Sequence, residues 1–449
     1  MATLSPQDLV ELVRSVFPRF AGDRTLAILV DVPRDPGRDN PPWKARRALA
    51  FEWFAALKSG RTAIPLEDIL LVAYPDAGSN NADLPAEAFL LETPVPDEAS
   101  GLNRSGLRVT FTHVFAETQL FLAPTEFSTT APLKVAAKRF GFRAATMPGF
   151  AVSMVPALRI DYAEVARRVD ALKSRLDEAV RADVRFLVKG RAGGLPLARG
   201  LYPRASMPEE NPRATPGALI CDLNTRLRAV EVDPHTKSGA PDAAPGAGDD
   251  RLEYGVRFDL RHRTAHASTG RFPEAGTAGN LPSGEAYIVP YEGEKGVPSD
   301  TAGVLPVEID GEVVLFTVVA NKAVRVEGDG PAAAAEREHL RREPAYGNMA
   351  ELGFGVLAAF GLAPVGEILL DEKLGLHVAF GRSEHFGGIV GPKDFSSRAE
   401  VIHLDRIYIP ESMPRVAVRS VTFGYPDGRV EIVMSAGRYS IFKEIKENA

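Results

Sequence analysis

The hydrophobic period of this chain changes part-way along it, and that change limits the possible folds more than any other feature. Up to residue 184, short apolar runs alternate with stretches whose apolar residues recur every three or four positions. From Tyr254 onward the period is two. In the first part, Thr25–Val32 and residues 69–74, 107–111 and 120–123 read as strands, and residues 42–58 and 134–139 as helices. Ser5 and Pro6 stand as N-cap and first residue of an opening helix. Strands alternating with helices predict a Rossmann-like α/β domain over residues 1–158, built on a parallel sheet. Residues 161–184 read as the longest helix, with Val165, Val169, Leu172, Leu176 and Val180 on one stripe, joining this domain to the next. The rest, residues 159–449, is a strand-rich α/β domain. Its strands are read at 254–260, 285–291, 304–309, 313–319, 367–371, 376–380, 401–409 and 430–434, and a charged helix at 332–342 interrupts them. Residues 190–250 are read as a flexible insertion, because the Gly, Pro and Ala of 190–200 and 238–250 offer little to bury.

A length of 449 residues suits two domains, and 45% hydrophobic with 25% charged residues is enough to fill their cores. The formal charge of −6, with no Lys/Arg run interleaved with aromatics, argues against a nucleic-acid partner. Cys221 is the single cysteine, so neither an internal disulfide nor a thiolate metal cluster is available. The opening helix lacks the pattern of a signal peptide, and no apolar run approaches the roughly 20 residues that span a bilayer. A cytoplasmic protein without membrane contact is therefore expected. No G-x-G-x-x-G follows the first strand, and neither a P-loop nor a G-x-S-x-G occurs, which leaves nucleotide binding and serine catalysis without a signature.

The chemistry-bearing residues lie in the second half. In residues 401–409 (VIHLDRIYI), strand alternation puts His403 and Asp405 on one face with Val401 and Ile407. A carboxylate buried there needs a base or a cation beside it, and Arg406 or a metal ion are the two solutions. His377 lies in another apolar run. Glu285 opens a strand after Pro282-Ser283-Gly284, and Glu351 precedes Gly353 and Gly355, which permit close backbone approach. Three carboxylates and two imidazoles suit Zn²⁺, Mn²⁺, Co²⁺ or Fe²⁺, and five ligands suggest two divalent ions about 3.5–4 Å apart, bridged by one carboxylate and activating a water. The second domain is accordingly read as metal-binding. His339 and Glu343 are read as a solvated helix face.

Several blocks carry a family resemblance. Residues 144–149, the helix start Asp161-Tyr162-Ala163-Glu164-Val165, residues 280–290 (NLPSGEAYIVP), residues 350–355 (AELGFG), residues 370–388 and His403-Leu404-Asp405 occur in one order. In these the chain resembles the thermophilic-metalloprotease-type aminopeptidases, the aminopeptidase T and aminopeptidase S group, over most of its length. That resemblance implies Glu285, Glu351, His377, His403 and Asp405 as the metal ligands with Glu351 as bridge, a small peptide or amide as substrate, and a homodimer. The family's peptidases carry a tyrosine seven residues after the first ligand histidine. Here Glu384 stands at that place, followed by His385, so Glu384, His385 or Glu351 is the implied proton carrier. The ring-cleaving dihydroxypyridine dioxygenases are similar to this family in fold and use the terminal His-x-Asp, so a single Fe²⁺ supporting oxygen chemistry is the alternative. A metal-binding protein without peptidase activity is a further one.

Overall fold

The computed structural model describes residues 4–20, 22–60, 63–190 and 251–442. Helix α1 (Pro6–Val16) begins as the sequence suggests: the Ser5 side chain accepts from the Asp8 backbone while Asp8 returns the bond to Ser5. Strand β1 (Thr25–Val32), helix α2 (Pro41–Gly60) and strand β2 (Asp68–Pro75) follow. Next come β3 (Glu87–Leu91), the single turn α3 (Leu102–Ser105), β4 (Gly106–Thr110), α4 (Phe111–Glu117), β5 (Leu120–Thr125), α5 (Thr130–Phe140) and β6 (Arg143–Pro148). Strands β1, β2, β5 and β6 run parallel, whereas β3 and β4 form an antiparallel edge. The apolar continuity of β1 has a direct cause, since both of its faces are covered. Leu26, Ile28, Val30 and Val32 join the main core, while Ala27 and Leu29 join a smaller one on the opposite side.

Helix α6 spans Tyr162–Glu178, shorter than the 161–184 read from the sequence, and buries Val165, Val169, Leu172 and Leu176 as that reading required. Its continuation is instead strand β7 (Arg181–Lys189), in which Ala182, Val184, Phe186 and Val188 alternate inward. Valines at 180 and 184 fit either period, and pairing on both sides of β7 decides for the strand. Of the segment read at 190–250, residues 191–250, Cys221 among them, lie outside the described residues.

The remaining strands are β8 (Arg251–Asp259), β9 (His266–Ser268), β10 (Ala278–Asn280), β11 (Glu285–Ile288), β12 (Ala302–Ile309), β13 (Glu312–Val319), β14 (Lys322–Glu327), β15 (Met349–Gly355), β16 (Leu376–Gly381), β17 (His403–Ile407), β18 (Val416–Gly424), β19 (Val430–Ser435) and β20 (Arg438–Tyr439). They form an eight-stranded sheet ordered β14-β13-β12-β8-β7-β18-β19-β20 and a five-stranded sheet ordered β17-β16-β15-β11-β9, while β10 adds in parallel to β6 of the first sheet. The protein is thus mixed α/β. The strand read at 285–291 stops at Ile288, and residues 367–371 are not a strand. Ile368–Asp371 make a helical turn, because the Asp371 carboxylate accepts from the Val365 and Gly366 backbone and folds the segment back. Glu343 likewise departs from a solvated face: it is buried and accepts from Ser396, while His339 stacks on Tyr346. No helix among the described residues is long and apolar enough to cross a membrane.

Candidate metal centre

The five-stranded sheet is antiparallel throughout, and residues paired across it share a face. Its inner face is apolar: Ala286, Ile288, Leu352, Phe354, Val378 and Phe380 are all buried, and α6 packs behind β11. The opposite face carries the polar residues. His377 pairs with Gly353, Ala379 with Asp405 and Gly381 with His403, while Glu285 pairs with Gly355, so Glu285, Glu351, His377, His403 and Asp405 all project to one side. Glu351 reaches that side by regular alternation with Gly353, and a bulge follows on its other flank. Met349 opposes Phe380 but Glu351 opposes Ala379, which leaves Ala350 as the extra residue. The bulge turns Met349, two residues before Glu351, into the apolar face opposite Phe380.

Gly353 makes room for the cluster. A Cβ there would stand 1.9 Å from His377 Nε2, so the imidazole lies directly on the backbone of β15. The donor atoms fall into two groups, Glu285 with Glu351 and His377, and Glu351 with His403 and Asp405, each within 4.8 Å internally. Glu351 belongs to both. His377 Nε2 is 3.3 Å from Glu351 Oε1 and 3.6 Å from Glu285 Oε2. His403 Nε2 is 3.3 Å from Glu351 Oε2 and 3.7 Å from Asp405 Oδ1. These separations exceed the ~2.7–2.9 Å of a closed ionic hydrogen bond.

The inner group is buried, whereas His403 and Asp405 retain 20% and 10% of their side-chain exposure. The wall expected to be buried at β17 is therefore half-open, because β17 is the edge strand of its sheet. Arg406 does not neutralise Asp405. It bonds Glu336 and the Tyr346 hydroxyl from the other face.

Two observations fit a cation. Glu285 Oε2 is buried and has no hydrogen-bond partner, an arrangement costly for an ionised acceptor unless a positive charge faces it. In addition, His403 Nδ1 lies 2.8 Å from the Arg382 carbonyl, which only accepts, so Nδ1 carries a hydrogen and Nε2 is the atom turned toward the carboxylates, where a metal ion would take the place of a proton. His377 Nδ1 faces the Gly375 carbonyl in the same sense at 3.4 Å. Burial alone would raise Glu351, but hydrogen bonds from His377 and His403 hold it well below the usual carboxylate range. Glu285 is raised, its burial outweighing the pull of Lys373 and His377.

Lys373 and Glu372 are functional candidates that the sequence reading missed. Lys373 Nζ lies 2.6 Å from Glu285 Oε1 and also bonds Glu372, with 3% of the side chain exposed. A lysine set among Leu369, Leu370, Leu374 and Leu376 was the available signal. Glu372 is pushed up to about 7, first by burial. Tyr287 on β11 shares the polar face and stacks on His266 and against Phe386 beside the cluster.

Glu384 and His385 lie at the rim. Glu384 is exposed and held by Arg382 at 2.7 Å, outside both donor groups. The His385 ring stands edge-on to His403 at 5.2 Å, and desolvation followed by the charges of His403 and Arg382 push it down to about 4.

No known family model and no curated protein matches this sequence. Among solved structures the chain is similar to a 2,5-dihydroxypyridine dioxygenase from Pseudomonas putida, with a TM-score of 0.50 and 14% identity over 97% of this chain and 98% of that one. It is also similar to AmpT from Thermus thermophilus, with a TM-score of 0.46 and 14% identity over 97% and 99% of the two chains. The first likeness shows a shared fold along nearly the whole length.

Proposed function

We propose that this protein is a metal-dependent hydrolase that cleaves a peptide or small amide bond. The observation that carries the reading is the sharing of Glu351 between two donor groups, each completed by one histidine and one further carboxylate. Glu285, Glu351 and His377 would hold one divalent ion, and Glu351, His403 and Asp405 a second. Such ions, when bound, supply Lewis-acid polarisation of a carbonyl and activation of water near neutral pH. The carbonyls of Arg382 and Gly375 orient the two imidazoles for this task. The buried Glu285 side excludes water, and the half-open His403 side admits the substrate. His385, neutral above about pH 4, is placed to accept a proton beside His403.

Oxygen chemistry on one iron of the two-histidine, one-carboxylate kind needs both imidazoles on a single ion. His377 and His403 fall into different groups, which favours the hydrolytic reading. Elemental analysis after incubation with Zn²⁺, Mn²⁺ or Co²⁺, paired with hydrolysis of a peptide library, tests the proposal. The wild type should take up divalent ions and release amino acids, and Glu351→Gln should lower both by at least about 100-fold, since it serves both positions. Iron bound equally well by wild type and Glu351→Gln, without hydrolysis, would overturn it.

A further inference from the structure

Besides burial, the two candidate ion positions differ in charge: the inner one already contains a cation. Lys373 Nζ bonds Glu285 Oε1 at 2.6 Å and Glu372 as well, and its side chain is almost wholly enclosed. Its backbone is pinned, since the Gly355 amide donates to Gly375 and a Cβ on Gly355 would meet the Lys373 carbonyl carbon at 2.2 Å. The ammonium stays enclosed between Glu285 and Glu372. Around the outer group the situation is reversed. Among the described residues no lysine or arginine pairs with Asp405 or Glu351, which meet only imidazoles.

We propose that Lys373 makes the two positions unequal: an ion at Glu351, His403 and Asp405 binds first, and an ion at Glu285, Glu351 and His377 binds second and more weakly. This rests on the metal-centre reading above. An ion on Glu285 Oε2 shares its carboxylate with the ammonium on Oε1, and like charges so close, in surroundings of low polarity, repel strongly. The free Oε2 keeps the inner position able to bind, so Lys373 weakens the second step without abolishing it. The consequence is a protein that holds one ion at low free-metal concentration and completes its pair only when that concentration rises.

The test uses the full-length protein, stripped with chelator and titrated by calorimetry with Zn²⁺ alone and with Mn²⁺ alone, with elemental analysis after gel filtration. Two steps separated by about tenfold or more in Kd are expected, with one ion surviving filtration. His377→Ala should remove the weaker step and Asp405→Asn the tighter one. Lys373→Met should strengthen the weaker step by about tenfold or more while moving the tighter one by less than about threefold. The double variant Lys373→Met with Glu372→Gln, which removes one charge of each sign, carries the test if the single variant fails to fold by circular dichroism. Equal steps in the wild type, or a second step unmoved in the Lys373 variants, overturn the inference while leaving the metal centre standing. No uptake of either ion by the wild type overturns the metal centre itself.

Discussion

Asp31 and Glu285 are both carboxylates removed from water at the end of a strand, yet their surroundings are opposite. Asp31, near the end of β1, accepts from Trp43 Nε1 and the Glu126 amide on one oxygen and from the Phe127 amide on the other. Each of its oxygens is matched to a donor of the protein, and the residue ties β1 to the loop after β5. Glu285 has Lys373 on one oxygen and no hydrogen bond on the other, where His377 Nε2 stands 3.6 Å away. Burial of an acid therefore marks no site by itself. An unsatisfied oxygen facing an imidazole does, because the protein has left a charge for something else to complete.

Asp31→Ala is the harshest way to test that contrast. It leaves the Glu126 and Phe127 amides unpaired in the core, Trp43 Nε1 keeping the Asp31 carbonyl, and should cost about 2–5 kcal/mol of unfolding free energy, with ion uptake unchanged in the protein that remains folded. Glu285→Gln, which keeps an acceptor for Lys373, should change the stability of the metal-free chain by less than about 1 kcal/mol and abolish one binding step. Denaturant titration and calorimetry on the two variants decide the matter, and a reversed pattern would mean that the two acids had been assigned the wrong roles.

The next effect is in pH. Burial would lower His377, but Glu351 and Glu285 outweigh it and raise it from the ordinary 6.5 to about 9. The sign follows from proton binding, since the folded chain holds this proton more tightly than the unfolded one. In metal-free protein the resulting stabilisation, about 3 kcal/mol, is complete below pH 6.5 and disappears as pH rises through 9. An ion on Nε2 replaces the proton, so saturating Zn²⁺ should remove this loss. Unfolding curves of stripped and loaded protein that run parallel across the same pH range would count against metal binding at His377.

Gly353→Ala should have a moderate effect on the fold and a selective one on the site. The added methyl group displaces the His377 ring at a cost of about 1–3 kcal/mol, and affinity at the inner position should fall by about tenfold or more. The outer position, which does not use His377, should be nearly unaffected. Equal weakening of both binding steps would show that the two groups do not act separately.

Local pattern accounts for what could be read in advance. The bounds of β1 and the cap of α1 follow from neighbouring residues, because an eight-residue apolar run or a Ser-x-x-Asp start needs little beyond its own sequence. Strand β15 was not legible as a strand, since all seven residues of MAELGFG are buried and no alternation survives. Asp405 could be read with Arg406 or with a cation, and only the position of Glu336 shows that Arg406 is engaged elsewhere.

By itself the sequence determined the α/β class and nominated five candidate donors, because side-chain chemistry and short-range periodicity are properties of adjacent positions. The tertiary structure alone decided that Glu351 is shared by both donor groups and that Lys373 stands beside Glu285. The first depends on the pairing of β15 with β11 on one side and, through β16, with β17 on the other, and the second joins residues 88 apart in the chain. Neither has a local cause, since each arises only when distant strands and turns pack into one sheet face.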